Sequence, residues 1–210
     1  MNKIIQILVL LLCSYGVTSS AANDEQLYRN KLNHCKLSTP TLNNYEPAVF
    51  QTTNNLLRST GQNPIYCGEK VIIKGTLLDK NCVPVSDAKV YLWQVGCDGK
   101  YPYKTLRTRV DKNHLNLENG STFTGSGIAT TNNEGEFYFI TIYPVMKHGD
   151  PHVNIRVEHR DLGSLQTQLH FKKALEARDI VDSSGADDMD GEAKIYNFNV
   201  VMPGETLKRY

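Results

Sequence analysis

Histidine, tyrosine and cysteine are the residue types here whose placement could do chemistry. His152 heads the cleanest alternation in the chain, residues 152–158. There Val153, Ile155 and Val157 face one way, and His152, Asn154, Arg156 and Glu158 face the other. An imidazole on such a polar face can ligate a metal or form an ordinary hydrogen bond. His159 and His170 read as structural or exposed. Eleven tyrosines against one tryptophan and six phenylalanines suit half-buried strands and polar pockets. Cys35, Cys67, Cys82 and Cys97 lie 32, 15 and 15 residues apart, without the close pair a zinc site needs. An even count in an exported chain predicts two disulfides, with three connectivities open. Cys67 and Cys97 border two predicted strands and could meet at one end of a sandwich. Asp187, Asp188 and Asp190 lack an EF-hand frame and read as a solvated loop rather than a calcium site. Asn119-Gly120-Ser121 fits the glycosylation pattern.

The elements that must position these groups begin after an N-terminal leader. Lys3 is followed by an apolar run over residues 4–13, and Ser19, Ser20, Ala21 and Ala22 supply the small residues of a cleavage site. The run is about ten residues, short of the roughly twenty that span a bilayer as a helix. Residues 1–22 are therefore read as a signal peptide, and the protein as exported, either secreted or periplasmic. No later stretch is apolar enough for a stable membrane anchor. A net charge of +1 gives no reason to expect nucleic acid as a partner.

The mature part is long enough for one domain with its own core. Residues 23–64 are polar, rich in Asn and Thr, and read as an arm, with a helical turn near 24–32. From there to residue 210 the pattern is β. Strands are predicted over 71–78, 88–94, 127–131, 136–142, 152–158, 166–171 and 195–202. Residues 96–123 read as a long functional or exposed loop. A short helix is expected over 172–179 and an acidic loop over 182–192. Seven or so strands with few helices predict a mainly all-β fold, a single β-sandwich of residues 65–210.

Several blocks carry a family resemblance. Gly75-Thr76-Leu77-Leu78-Asp79, Val83-Pro84-Val85 and Leu92-Trp93-Gln94 resemble the opening of the intradiol ring-cleavage dioxygenases, the catechol and protocatechuate dioxygenases among them. The first half of this stretch is shared with transthyretin-like modules. The likeness continues through Asp98-Gly99-Lys100-Tyr101, Phe123-Thr124-Gly125-Ser126-Gly127 and Thr141-Ile142-Tyr143-Pro144. It ends with Thr167-Gln168-Leu169-His170-Phe171 and the last predicted strand.

The resemblance implies a sandwich that holds Fe(III) with two tyrosinates and two histidines, and that cleaves a small aromatic diol with O2. Anionic phenolates stabilise the ferric state, so the metal binds a catecholate rather than reducing dioxygen. Matched position by position, Tyr101 is the first tyrosine ligand and His152 the first histidine. Gln168 is the family glutamine near substrate. Lys147 stands at the second tyrosine position, Asn154 at the second histidine, and Gly149 where the family has an arginine. An amide is a weak neutral ligand for ferric iron, and an ammonium is none. Tyr143 and His148, which flank the altered position, and Tyr103 are the candidate substitutes. The alternative reading is a non-catalytic, exported binding module descended from this family.

Overall fold

In the computed structural model of the protein, the structure describes residues 35–118, 120–174, 176–180 and 193–206. The expected signal peptide, the helical turn near 24–32 and the acidic loop 182–192 lie outside these residues. So do Asn119 and Asp187, Asp188 and Asp190. Eight strands form two four-stranded sheets: β1 (Lys70–Leu78), β2 (Lys89–Trp93), β3 (Ser126–Thr130), β4 (Glu136–Ile142), β5 (His152–His159), β6 (Gly163–His170), β7 (Glu176–Ile180) and β8 (Ala193–Val201). Their orders are β4-β1-β8-β7 and β3-β2-β5-β6. Every pairing is antiparallel except β1 with β8, which runs parallel from Val71↔Lys194 to Leu78↔Val201. Among the described residues no helix is long and apolar enough to cross a membrane.

The core follows from the period-two patterning. Val153, Ile155 and Val157 on β5, with Val90 and Leu92 on β2, are fully buried. They meet Val71, Ile73 and Leu77 of β1 and Phe139 of β4 in one cluster between the sheets. Each such side chain stabilises the fold by about 1.5–3 kcal/mol relative to exposure. Gly75 is required on this face, because the Phe137 ring lies over it and a Cβ there would collide with the ring.

One expectation is corrected. Residues 172–179 are not a helix: a single 3-10 turn, Phe171–Lys173, ends at Ala174, and Glu176–Ile180 pairs antiparallel with β8 as an edge strand. The open edge of β8 offers this backbone a complete ladder, and so short a helix is marginal without packing.

Residues 35–69 carry no strand, yet they are tied to the sandwich. Leu56 and Leu57 enter the core. Disulfides join Cys35 to Cys82 and Cys67 to Cys97, with Cα separations of 5.3 and 5.9 Å. Cys67 and Cys97 thus meet at one end of the sandwich.

Candidate functional site

Three adjacent strands place the site on the outer face of the β3-β2-β5-β6 sheet. Trp93 of β2 is opposite Asn154 of β5, and Asn154 is opposite Gln168 of β6. One pair further along, His152 is opposite His170. Strand alternation sends Leu92, Val153 and Leu169 to the core and leaves these polar residues on the other side.

Tyr101 reaches the same face from the 96–123 loop. Gly99, at φ +73°, makes the tight turn that precedes it. The Tyr101 backbone is then pinned on both sides. Its N–H donates to the His114 carbonyl at 2.8 Å, and its carbonyl accepts from Asn116 N–H at 2.9 Å. The side chain is only 5% exposed, packed with Trp93 and Val95.

The orientation of each amide can be worked out. Asn43 Oδ1 accepts from Trp93 Nε1 (3.2 Å) and from Tyr45 N–H (2.8 Å). Its Nδ2 therefore donates to the Tyr101 hydroxyl oxygen, at 3.1 Å. Asn154 Nδ2 donates to the Trp93 carbonyl at 3.4 Å, and its Oδ1 accepts from Gln168 Nε2 at 3.1 Å. Gln168 Nε2 lies 3.1 Å from His152 Nε2 as well. His152 Nδ1 lies 2.9 Å from the Asp150 carbonyl. A carbonyl only accepts, so the proton sits on Nδ1, and the Nε2 lone pair faces Gln168. Asn154, Gln168 and His152 form one hydrogen-bonded chain, and Tyr101 is tied to the same face through Asn43 and Trp93.

Burial pushes the Tyr101 phenol above its usual range, while the amides of Asn43 and Asn154 oppose that rise. Burial raises Tyr103 still more, helped by the nearby charges of Tyr101 and Glu46. His170 is lowered by burial and by its neighbour His152, whose ring centroid is 5.2 Å away.

Of the residues singled out in the sequence, the structure brings together Tyr101, His152, Asn154 and Gln168. Tyr103 packs beside Tyr101, ring centroids 5.7 Å apart. Lys147 is exposed, its stem beside Gly99, and His148 is exposed. Tyr143 packs instead on Phe171 and Tyr196, at 4.9 and 6.1 Å. Asn43, Tyr45 and Glu46 were not found by sequence reasoning. They lie in an aperiodic polar stretch, and only the fold shows that it crosses the site.

The family model described as Dioxygenase matches residues 41–189. A protein of Rickettsia bellii named "Putative dioxygenase" is 50% identical over 202 residues, 95% of this chain and 96% of that protein. This chain belongs to the dioxygenase family. Among solved structures, the dioxygenase domain of a carbohydrate-binding fusion from Streptomyces sp. SirexAA-E aligns with a TM-score of 0.57 at 17% identity, over 81% of this chain and all of that one. An intradiol ring-cleavage dioxygenase from Tetranychus urticae aligns with a TM-score of 0.53 at 18% identity, covering 83% and 98%. At these identities the structures show the fold, that of the intradiol dioxygenases.

Intradiol dioxygenases use Fe(III), and the residues of this dioxygenase can be tested against that ion. Two of the four ligand positions fit. His152 has its Nδ1–H held by a backbone carbonyl, the arrangement that orients ligating histidines, and its Nε2 lone pair turned into the site toward Gln168. Tyr101 presents an oxygen that already accepts the Asn43 amide N–H, and this bond favours its anionic form. The other two positions do not fit: Asn154 offers a neutral amide, and Lys147 a cation on an exposed loop. Among the described residues no three His, Cys, Asp or Glu side chains gather as a metal group.

Proposed function

We propose that this dioxygenase acts with O2 on a catechol-like aromatic diol, at the cluster of Tyr101, Gln168 and His152. One observation carries the reading: Gln168 bonds His152 directly, and Tyr101, 67 positions before Gln168, is tied to the same sheet face through Asn43 and Trp93. Tyr101 and His152 would hold Fe(III), which when bound supplies a Lewis acid for the two diol oxygens and readies the ring for O2. Tyr101 Oη is placed to accept a diol proton, and its rise with burial makes it a stronger base than a surface phenol once ionised. With His152 Nε2 on the ion, the Gln168 Nε2–H that faces it would be released to donate to a diol oxygen and fix the ring's orientation. Trp93, fully buried beneath Tyr101, keeps water from that side.

A second reading is favoured by Asn154 and Lys147. An amide and an ammonium at two ligand positions weaken ferric binding, and a protein that binds a small aromatic ring without cleaving it would retain the same sandwich. Metal analysis with a visible spectrum of the mature chain, supplied with iron in air, separates the two. Stoichiometric iron with a charge-transfer band that shifts on adding catechol supports ring cleavage. Folded, colourless, iron-free protein supports the binding module.

Export is part of the proposal. The leader-like residues 1–22 motivate it, and two disulfides fit an oxidising compartment. N-terminal sequencing of the protein from cell fractions tests it: a mature chain that still begins at Met1 in the cytoplasm overturns it.

A further inference from the structure

The site is closed on one side by its own chain. Residues 41–50 run over the outer face of the β3-β2-β5-β6 sheet without forming a strand. The Thr41 N–H donates to the Gln166 carbonyl at 2.9 Å. Asn43 spans Trp93 and Tyr101, as described above. The Tyr45 ring stacks on Tyr101 with centroids 4.8 Å apart and planes 11° from parallel. Glu46 pairs with Arg156 of β5 at 3.0 Å, and Phe50 sets its edge against Tyr91 and Trp93. On the far side, Ala48 N–H donates to Lys104 and Leu106 N–H to Glu46, both to backbone carbonyls.

These contacts occupy the places a substrate would need. A flat diol ring beside Tyr101 would use the ring face that Tyr45 covers, and a diol hydroxyl would use the oxygen that Asn43 engages. Asn154 is 2% exposed and Tyr101 5%, so neither is accessible while the segment is in place. The segment itself gains little from aliphatic burial, because Leu42 is 83% and Val49 76% exposed. It is held by polar contacts and aromatic stacking, the kind of local structure that opens at low cost.

We propose that residues 41–50 are a displaceable cover, with Tyr45 standing in for the substrate ring and the Glu46–Arg156 ion pair as its latch. The ligand assignment rests on the diol reading above; the cover itself does not. The test is amide hydrogen exchange on the full mature chain. Glu46→Gln removes the latch charge, and exchange at the Ala48 and Leu106 amides is expected to rise about fivefold, while β2 and β5 stay unchanged. Tyr45→Leu, which removes the stacked ring and keeps the latch, is expected to give the same pattern. Catechol association, followed by the fluorescence of the single tryptophan Trp93, should quicken by a similar factor in both variants. Unchanged exchange at Ala48 and Leu106, or an equal rise throughout β2 and β5, overturns the cover. Local opening in variants that bind no catechol keeps the cover and removes the diol reading.

Discussion

Asn154 stands directly opposite Gln168 in the β5–β6 register, and the Gln168 amide reaches the Asn154 carbonyl oxygen at 3.1 Å. This contact sits where the family resemblance places a second histidine ligand. The Gln168 amide links Asn154 to His152 and holds the three residues in one geometry. Asn154→His therefore asks whether the site is still a metal site. Ferric affinity, measured by equilibrium dialysis, should rise at least on the order of tenfold, since even outer-shell partners contribute that much. A tyrosinate-to-iron band should strengthen with it. No gain in either would mean that Tyr101 and His152 no longer converge on a common ion.

Tyr101→Phe keeps the ring that stacks on Tyr45 and removes the oxygen that receives the Asn43 amide. A part-buried donor loses its acceptor, so urea unfolding should show a loss of about 1–3 kcal/mol. Catechol binding and any iron colour should disappear in the same variant. Retention of both would separate Tyr101 from the site.

Asp79 gives a pH dependence with a definite sign. Burial pushes its carboxyl up, but donors from Thr206, Val83 and Asn81 outweigh that and hold it below the usual carboxylate range. All four bonds measure 2.8–2.9 Å. The carboxylate form is the one these donors favour. Its contribution is complete above the unfolded-state value, near pH 4, and is lost as pH falls through the lower folded value. Asp79→Asn should lower stability at pH 7 and flatten the acid limb below pH 4, read from urea midpoints across that range. An unchanged acid limb would assign the acid sensitivity to other carboxylates.

Replacing Cys67 and Cys97 together by serine frees the start of the loop that carries Tyr101. The closed loop spans 30 residues, and opening it should cost about 3–4 kcal/mol of stability. Proteolysis should then cut first within 96–123. Equal sensitivity across the whole chain would mean that the disulfide supports the sandwich rather than this loop.

Much of the framework is legible in the amino-acid pattern because strand alternation and burial report the same fact. Val153, Ile155 and Val157 reveal β5, and the apolar run of β4 is bounded by the Asn132–Gly135 turn, so both can be found without the fold. β7 is different. Glu176–Ile180 has no strong period of its own and becomes a strand because β8 has an edge to fill. The site divides in the same way. Tyr101, His152 and Gln168 carry recognisable surroundings, whereas Asn43, Tyr45 and Glu46 meet the site through contacts fifty or more positions distant in the chain. Local sequence holds no record of such contacts.

The parallel pairing of β1 with β8 also has a bearing on synthesis. Among the described residues β1 is the first strand to be made and is central in its sheet, yet one of its two neighbours is β8, the last of them. Until that final stretch emerges, β1 presents an unpaired edge with Val71, Ile73 and Leu77 beside it, the kind of surface on which chains aggregate. A stalled or truncated product lacking β8 would have no stable half-sandwich to fall back on. The sheet is completed only when β8 joins β1.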